Sequence, residues 1–421
     1  MRLGTVIKII LGLYLVSLFA PNTSPLLDLN TWRSLSFSIV NSVSLFVILS
    51  YDELRNILKK VIKSKTSIAG IIFTLWALLS YFYAINPTEV IVRSSLFVNF
   101  FLLYLCLSVF LKHESYKKIH ITLFITILLL VQVSFSYSSY FQVLEYREYN
   151  FELNNLLIGL FSNRNVTSAV YLLQVPFVIY TIINSKSQII KNLSFFILTL
   201  TLYMVFLLAS RTAYVILLSL LIFYLLHLII NKFKSFKLFK SGFSILLFSL
   251  FISYSITLFS IGSENSSNAV KRIQSIDFAE TSTNTRLRYY SHSIDQFFSN
   301  PLIGVGYGNW KIESINRDKN NIISYVVPYT MHNDFLEVLV ELGLIGLLLY
   351  LFIYLFPFFK FRKVIFENNS TMFALFLSSS LIVFIVDSNI NFPAIRMSTL
   401  FYLALILSLF HINKNSLNED N

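Results

Sequence analysis

Apolar stretches of about 17–22 residues recur from one end of this chain to the other, and each can cross a hydrocarbon core roughly 30 Å thick. They fall at approximately 4–20, 34–50, 67–85, 90–111, 118–137, 165–183, 190–209, 211–230, 241–261, 334–356, 370–388 and 396–412. Charged residues make up 13% of the sequence, against about 25% in a soluble domain. The expected fold is therefore an all-α polytopic membrane protein with about twelve transmembrane helices. A soluble two-domain arrangement is untenable.

The formal charge of +12 reports topology rather than a nucleic-acid partner. With the N-terminus cytoplasmic, twenty of the 33 Lys and Arg residues fall at cytoplasmic ends and six at short external loops and span ends. The remaining seven lie in residues 262–333, a stretch too long for the positive-inside rule to govern. The bias puts both termini inside and the 262–333 segment outside. The expected organisation is nine spans over 1–261, an extracytoplasmic catalytic loop over 262–333, and three spans with a short cytoplasmic tail over 334–421. The basic connectors YDELRNILKKVIKSK (51–65) and NKFKSFKLFK (231–240) anchor the chain on membrane lipids, with Lys snorkelling to anionic headgroups.

Cys106 is the only cysteine, so an intrachain disulfide and a thiolate metal cluster are ruled out. The N-terminal segment has the basic start and apolar run of a signal peptide. Pro21 follows Ala20 where cleavage would fall, and no A-x-A pattern precedes it, so an uncleaved first span is expected.

Against this background the polar loop 262–333 is the place for chemistry. It ends in Thr330-Met331-His332-Asn333-Asp334. Asn333 is suited to cap the helix that follows. Asp334, Glu337 and Glu341 then recur at spacings of three and four on one helical face. An acidic face entering a membrane must look onto protein or water. His332, just outside the first turn, has an ordinary pKa near 6.5 and can accept a proton at neutral pH.

Arginines supply complementary chemistry. Arg286 and Arg288 lie in TNTRLRYYSHSIDQFFSNP, which reads as an amphipathic surface helix on which a spacing of two puts them on different faces. Guanidinium binds phosphate through a planar fork and stays charged. Arg164 stands just before a span, Arg211 sits in a very short turn between two spans, and Asp387 and Arg396 mark neighbouring span ends. Tyr289, Tyr290 and Trp310 fit either stacking on sugar rings or an interfacial aromatic belt. The glycines in NPLIGVGYGNW (300–310) lack the βαβ setting of a nucleotide loop, and a tight turn folding the loop back toward the membrane accounts for them better. There is no Walker motif, HExxH or D-x-D, so the expected donor is not nucleotide-activated, and no cofactor or metal is expected.

Four segments in order resemble the bacterial O-antigen ligase and O-antigen polymerase family: FSNRN at Arg164, ASRTA at Arg211, the stretch from Arg286 through NPLIGVGYGNW, and His332-Asn333 followed by Gly343 and Gly346. The resemblance covers roughly residues 160–360. It implies a C-type glycosyltransferase-like fold and a glycan donor on undecaprenyl diphosphate. It further implies metal-independent, inverting transfer to an acceptor hydroxyl, lipid A–core for a ligase, at the periplasmic face of the inner membrane. Under it His332 is the base and Arg211 and Arg288 the diphosphate-binding pair, with Arg286 and Arg164 beside them and Asn333, Asp334 and Glu337 in support. Three alternatives stand: a polymerase using a lipid-linked repeat unit as acceptor, a ligase acting on protein, and a polysaccharide transporter or flippase.

Overall fold

The computed structural model describes residues 2–20, 27–230, 236–261, 281–321, 329–367 and 372–412. Residues 262–280 and 322–328 of the expected loop lie outside them. So do Pro21, the start of the second basic connector (231–235) and the tail from 413. All regular secondary structure among the described residues is helical.

Seven helices are long and apolar enough to cross a membrane: Leu29–Ser50, Lys65–Phe82, Pro87–Glu114, Lys118–Tyr146, Arg164–Asn184, Gln188–Leu208 and Asp334–Phe359. Five shorter apolar helices occupy the remaining expected positions: Leu3–Phe19, Arg211–His227, Phe243–Phe259, Phe373–Ser388 and Met397–Ile412. The helical form follows from the solvent. Hydrocarbon offers no partner to a backbone N–H or C=O, so a spanning segment must satisfy its own.

The chain divides into two compact units. The first comprises Met1–Glu114, Asp277–Phe359 and Ser388–Asn421; the second comprises Ser115–Ile276 and Lys360–Asp387. We number the helices used below α1 (Leu3–Phe19), α2 (Leu29–Ser50), α3 (Pro87–Glu114), α4 (Lys118–Tyr146), α5 (Arg164–Asn184), α6 (Gln188–Leu208), α7 (Arg211–Ile230), α8 (Thr281–Ser299), α9 (Trp310–Asp318), α10 (Asp334–Glu367) and α11 (Met397–Ile412).

In the first unit α3 packs against α2 and α11. Neutral polar pairs stitch these helices together: Tyr14 Oη donates to Asn41 Oδ1 at 2.7 Å, Asn41 Nδ2 to Asn99 Oδ1 at 2.6 Å, and Ser108 Oγ to Ser408 Oγ at 3.0 Å. The polar loop contributes α8 and α9 to this unit. α8 is amphipathic: Tyr289, Ser293 and Gln296 are buried, while Leu287, Ile294 and Phe298 are exposed. Tyr289, Val305, Trp310, Met331 and Val340 form a small core that ties α8, α9 and the 331 segment to α10.

In the second unit α5 is buried on almost every side, between α4, α6 and α7. Its interior polar groups are amides and hydroxyls. Gln174 Nε2 donates to Gln132 Oε1 at 2.7 Å, Tyr171 Oη pairs with Ser136 Oγ at 2.8 Å, and Tyr137 Oη donates to the Leu200 carbonyl at 2.9 Å.

α10 is not one continuous helix. Gly343 has φ 65° and ψ −169°, which breaks it nine residues after Asp334. Several backbone groups around the break find partners outside the helix. Val305 N–H donates to the Val340 carbonyl at 3.1 Å, Gly306 N–H to the Glu341 carbonyl at 2.8 Å, and Leu344 N–H to the Pro301 carbonyl at 2.9 Å. Trp76 Nε1 takes the Leu342 carbonyl at 3.1 Å. The glycine-rich stretch thus docks backbone to backbone on the kink. A Cβ on Gly343 would lie 2.2 Å from the Leu302 carbonyl group, and one on Gly304 would lie 2.4 Å from Glu341 C. Side chains at either position would force the two segments apart, which is the reason for glycine there.

Candidate active site

His332 is held in an unusual backbone conformation. Its φ is 58°, in the left-handed region that costs a residue with a Cβ of order 1–3 kcal/mol. The conformation is held from both sides. Met331 N–H donates to Glu337 Oε2 at 3.0 Å, and Tyr290 Oη donates to the His332 carbonyl at 3.2 Å. Directly after it, Asn333 caps α10, its Oδ1 accepting from Phe335 and Leu336 N–H, each at 3.1 Å. The imidazole packs edge-on to Phe392, with ring centroids 4.9 Å apart. Its Nδ1 is buried with no hydrogen-bond partner among the described residues.

Burial, with the positive charges of Arg286 and Arg396, pushes the His332 pKa down to about 4. The ring is therefore neutral at physiological pH, the form that accepts a proton. The two arginines of α8 part company here. Arg286 acts electrostatically on His332, whereas Arg288 lays its guanidinium along Asp318, with Nε to Oδ1 at 2.6 Å and Nη2 to Oδ2 at 3.0 Å. Arg396 stacks over Phe392, 4.9 Å from its ring centroid.

The acidic face of α10 turns inward to protein. Asp334, Glu337 and Glu341 are all buried. Asp334 Oδ2 accepts from Ala394 N–H at 3.1 Å, which fastens the 392–396 turn beside His332. Glu337 Oε1 pairs with Arg93 Nη2 at 2.9 Å. Glu341 Oε1 accepts from Trp310 N–H at 3.0 Å, at the start of α9. A buried charge persists where an opposite charge and hydrogen bonds offset its desolvation. Arg93 does this for Glu337 from a position that the sequence marks only as a span-end charge. Its signal was available: an arginine three residues inside an apolar stretch calls for a named partner.

Trp310 and Tyr289 neither stack on an open surface nor form a belt; they are buried in the small core beneath the loop. Asn309 locks the glycine turn, its Oδ1 accepting from Asn86 N–H at 2.7 Å and its Nδ2 donating to the Asn86 carbonyl at 3.2 Å.

Arg164 and Arg211 belong to the second unit, each as the first residue of a helix. Ala209, left-handed at φ 46°, ends α6 abruptly enough for α7 to begin two residues later. Ser210 Oγ donates to Asn165 Oδ1 at 2.8 Å, tying the start of α7 to the start of α5. Asn163 caps α5 through Val166 N–H at 3.0 Å. Two helix N-termini, each carrying roughly half a positive charge, are thus joined with an arginine at each.

In the first unit, buried carboxylates beside a histidine in an apolar multi-pass architecture form the candidate site. Residues 195–351 match the family model described as O-antigen ligase, a little over a third of the chain. Over that stretch the chain is similar to the O-antigen ligase family. The match includes Arg211, Arg286, Arg288 and His332, and leaves Arg93, Arg164 and Arg396 outside. A comparison with curated proteins found no match.

Proposed function

We propose that this twelve-span protein is an O-antigen ligase-like glycosyltransferase. It moves a glycan from an undecaprenyl-diphosphate carrier to an acceptor hydroxyl, lipid A–core for a ligase, at the periplasmic face of the inner membrane. The observation that carries this reading is His332: neutral, held in a strained backbone conformation, with a buried ring nitrogen unpartnered among the described residues and the positive charge of Arg286 acting on it.

In the reaction the acceptor O–H gives its proton to the imidazole while its oxygen attacks the anomeric carbon. The bond from that carbon to the diphosphate oxygen breaks, and the diphosphate leaves with the electron pair. Attack opposite the leaving group inverts the anomeric centre. Negative charge develops on the bridging oxygen, so a fixed guanidinium there favours the transition state over the ground state. Arg286 is suited to that role. Arg288 reaches phosphate only by exchanging its fork from Asp318, which makes it a residue that changes partners. In the second unit we assign phosphate recognition to Arg164 and Arg211, supported by the helix N-termini they begin.

The low pKa of His332 makes the empty site a poor base. A bound diphosphate offsets Arg286 and Arg396 and thereby raises the proton affinity of the ring, so the donor itself switches the base on. The exposed Leu287, Ile294 and Phe298 of α8 suit a helix resting on the membrane surface. The test is the lipopolysaccharide profile of cells lacking the gene, with the lipid-linked pool analysed in parallel. Bare core with long polymer stranded on the carrier is the expected result. Core capped by one repeat unit would make the protein a polymerase, and an unchanged profile and pool would overturn the reading.

A further inference from the structure

Next to the His332 segment, within the first unit, lies a polar cavity of about 320 Å³. Its floor and walls include Asn30, Thr31, Arg93, Lys311, Glu337 and Glu341. Both cations there are already neutralised: Arg93 pairs with Glu337, and Lys311 pairs with Glu89, which also lines the cavity. Glu341 is the exception. It is 1% exposed, one carboxylate oxygen takes the Trp310 N–H, and Oε2 has no hydrogen-bond partner among the described residues. A buried acceptor left open in this way costs stability unless something fills it.

Charge and size narrow what that is. With Arg93 and Lys311 each held by a carboxylate, the cavity offers a diphosphate no unpaired cation among the described residues. The volume is at the low end of the roughly 300–1,000 Å³ typical of small-molecule sites. It exceeds what a single ion needs, and the hydroxyl-bearing Thr31 and Thr330 line it, while the Asn30 amide is already bonded to the Ile395 carbonyl and the Met397 N–H. Neutral hydrogen-bonding groups, a buried acceptor and apolar patches such as Val92 and Ile395 suit a polyhydroxylated ring. The cavity is also coupled to the base. Glu337 carries Arg93 in the cavity wall on one oxygen and fixes Met331, the residue before His332, on the other.

We propose that this cavity is a saccharide subsite that binds uncharged sugar of the glycan substrates, with Glu341 Oε2 accepting from a sugar hydroxyl. The proposal rests on the glycan-transfer reading but separates the sugar's site from the diphosphate's.

The test uses the full chain in nanodiscs. The probe is glycan released by mild acid from the lipid-linked pool of the producing cells, which lacks both lipid and diphosphate. Glu341→Gln places an amide donor where the open oxygen stands, and Thr31→Trp fills the cavity from an exposed position on its rim. Glycan binding is expected in the wild type, roughly tenfold weaker in Glu341→Gln, where the sugar hydroxyl loses its acceptor, and absent in Thr31→Trp. Binding of glycan-free polyprenyl diphosphate should be the same in all three. Adding lipid-linked glycan as donor to the glycan-loaded wild type identifies the source: released glycan that is elongated is acceptor, and released glycan that is displaced without being elongated occupies the donor's sugar site. Equal glycan binding in all three proteins overturns the proposal, as does no glycan binding by a wild type that transfers, or parallel loss of diphosphate binding in the variants. A wild type that neither transfers glycan nor binds polyprenyl diphosphate instead overturns the functional reading.

Discussion

The two units bury polarity in different ways. In the second, the interior of α4 and α5 holds an amide pair, Gln132–Gln174, and a hydroxyl pair, Ser136–Tyr171. In the first, the opening turns of α10 bury three carboxylates, with an arginine brought to Glu337 from α3. Neutral pairs in a membrane protein are modest glue, averaging about 0.6 kcal/mol in double-mutant cycles. Charges at membrane depth are costly, and their presence marks function. The second unit's polar interior is therefore read as helix packing, and the first unit's as a site.

The comparison can be broken by mutation, and the largest effect is expected at His332. His332→Ala should lower glycan transfer by about 10²–10⁴-fold, the usual contribution of a general base, with normal insertion and thermal stability. Transfer at the wild-type rate in purified variant would remove the base from the mechanism.

Arg93→Ala comes next. It strands the Glu337 carboxylate in the protein interior, a change that costs about 3–5 kcal/mol. The melting temperature in detergent should fall sharply. Adding Glu337→Gln should recover part of the loss, because the uncompensated charge is then gone. If the single and double variants melt together, the pair is not holding charge against charge.

Gly343→Ala strains a left-handed backbone and drives a Cβ into the Leu302 carbonyl group, for a loss of about 1–3 kcal/mol from strain alone. Gly12→Ala, at a helical position where an added Cβ meets nothing within 4 Å, serves as the comparison. Cross-linking between cysteines introduced at 303 and 341 should report the loosened turn. The smallest effect belongs to the second unit. Replacing Gln132 and Gln174 together by Leu should shift stability by about 0.6 kcal/mol and leave transfer intact.

The pH dependence sharpens the reading of the site. His332 must be unprotonated to act, so activity is present above its pKa and is lost as pH falls through it. The acid limb of kcat/KM reports the free enzyme and should lie near the depressed value of about 4. The limb of kcat reports the donor complex and should lie at higher pH, because the diphosphate offsets Arg286 and Arg396. Coincident limbs would mean that the donor does not alter the base.

The legible parts of this protein are those governed by one-dimensional rules. Seven helices of spanning length and five shorter apolar ones stand where apolar runs stand, because burial in hydrocarbon leaves the backbone no other form. His332, Asn333 and the acidic periodicity of α10 could be read because adjacent residues and a 3.6-residue period carry them. Arg286 and Arg288 could be read as a pair on different helical faces, but their partners could not. Asp318 lies thirty residues from Arg288, and nothing local announces it.

By itself, then, the sequence determined the helical architecture, and it singled out the polar loop as the candidate seat of chemistry and His332 as its candidate base. Each follows from composition, from periodicity or from neighbours along the chain. Tertiary structure decided the rest. It set Gly304 against Glu341 and Leu302 against Gly343, gave Glu337 to Arg93 across 244 positions, and buried Trp310 in a core instead of offering it to a sugar. Those outcomes depend on which segments meet in space. A buried charge or an opened helix must be satisfied by whatever lies beside it, wherever in the chain that comes from.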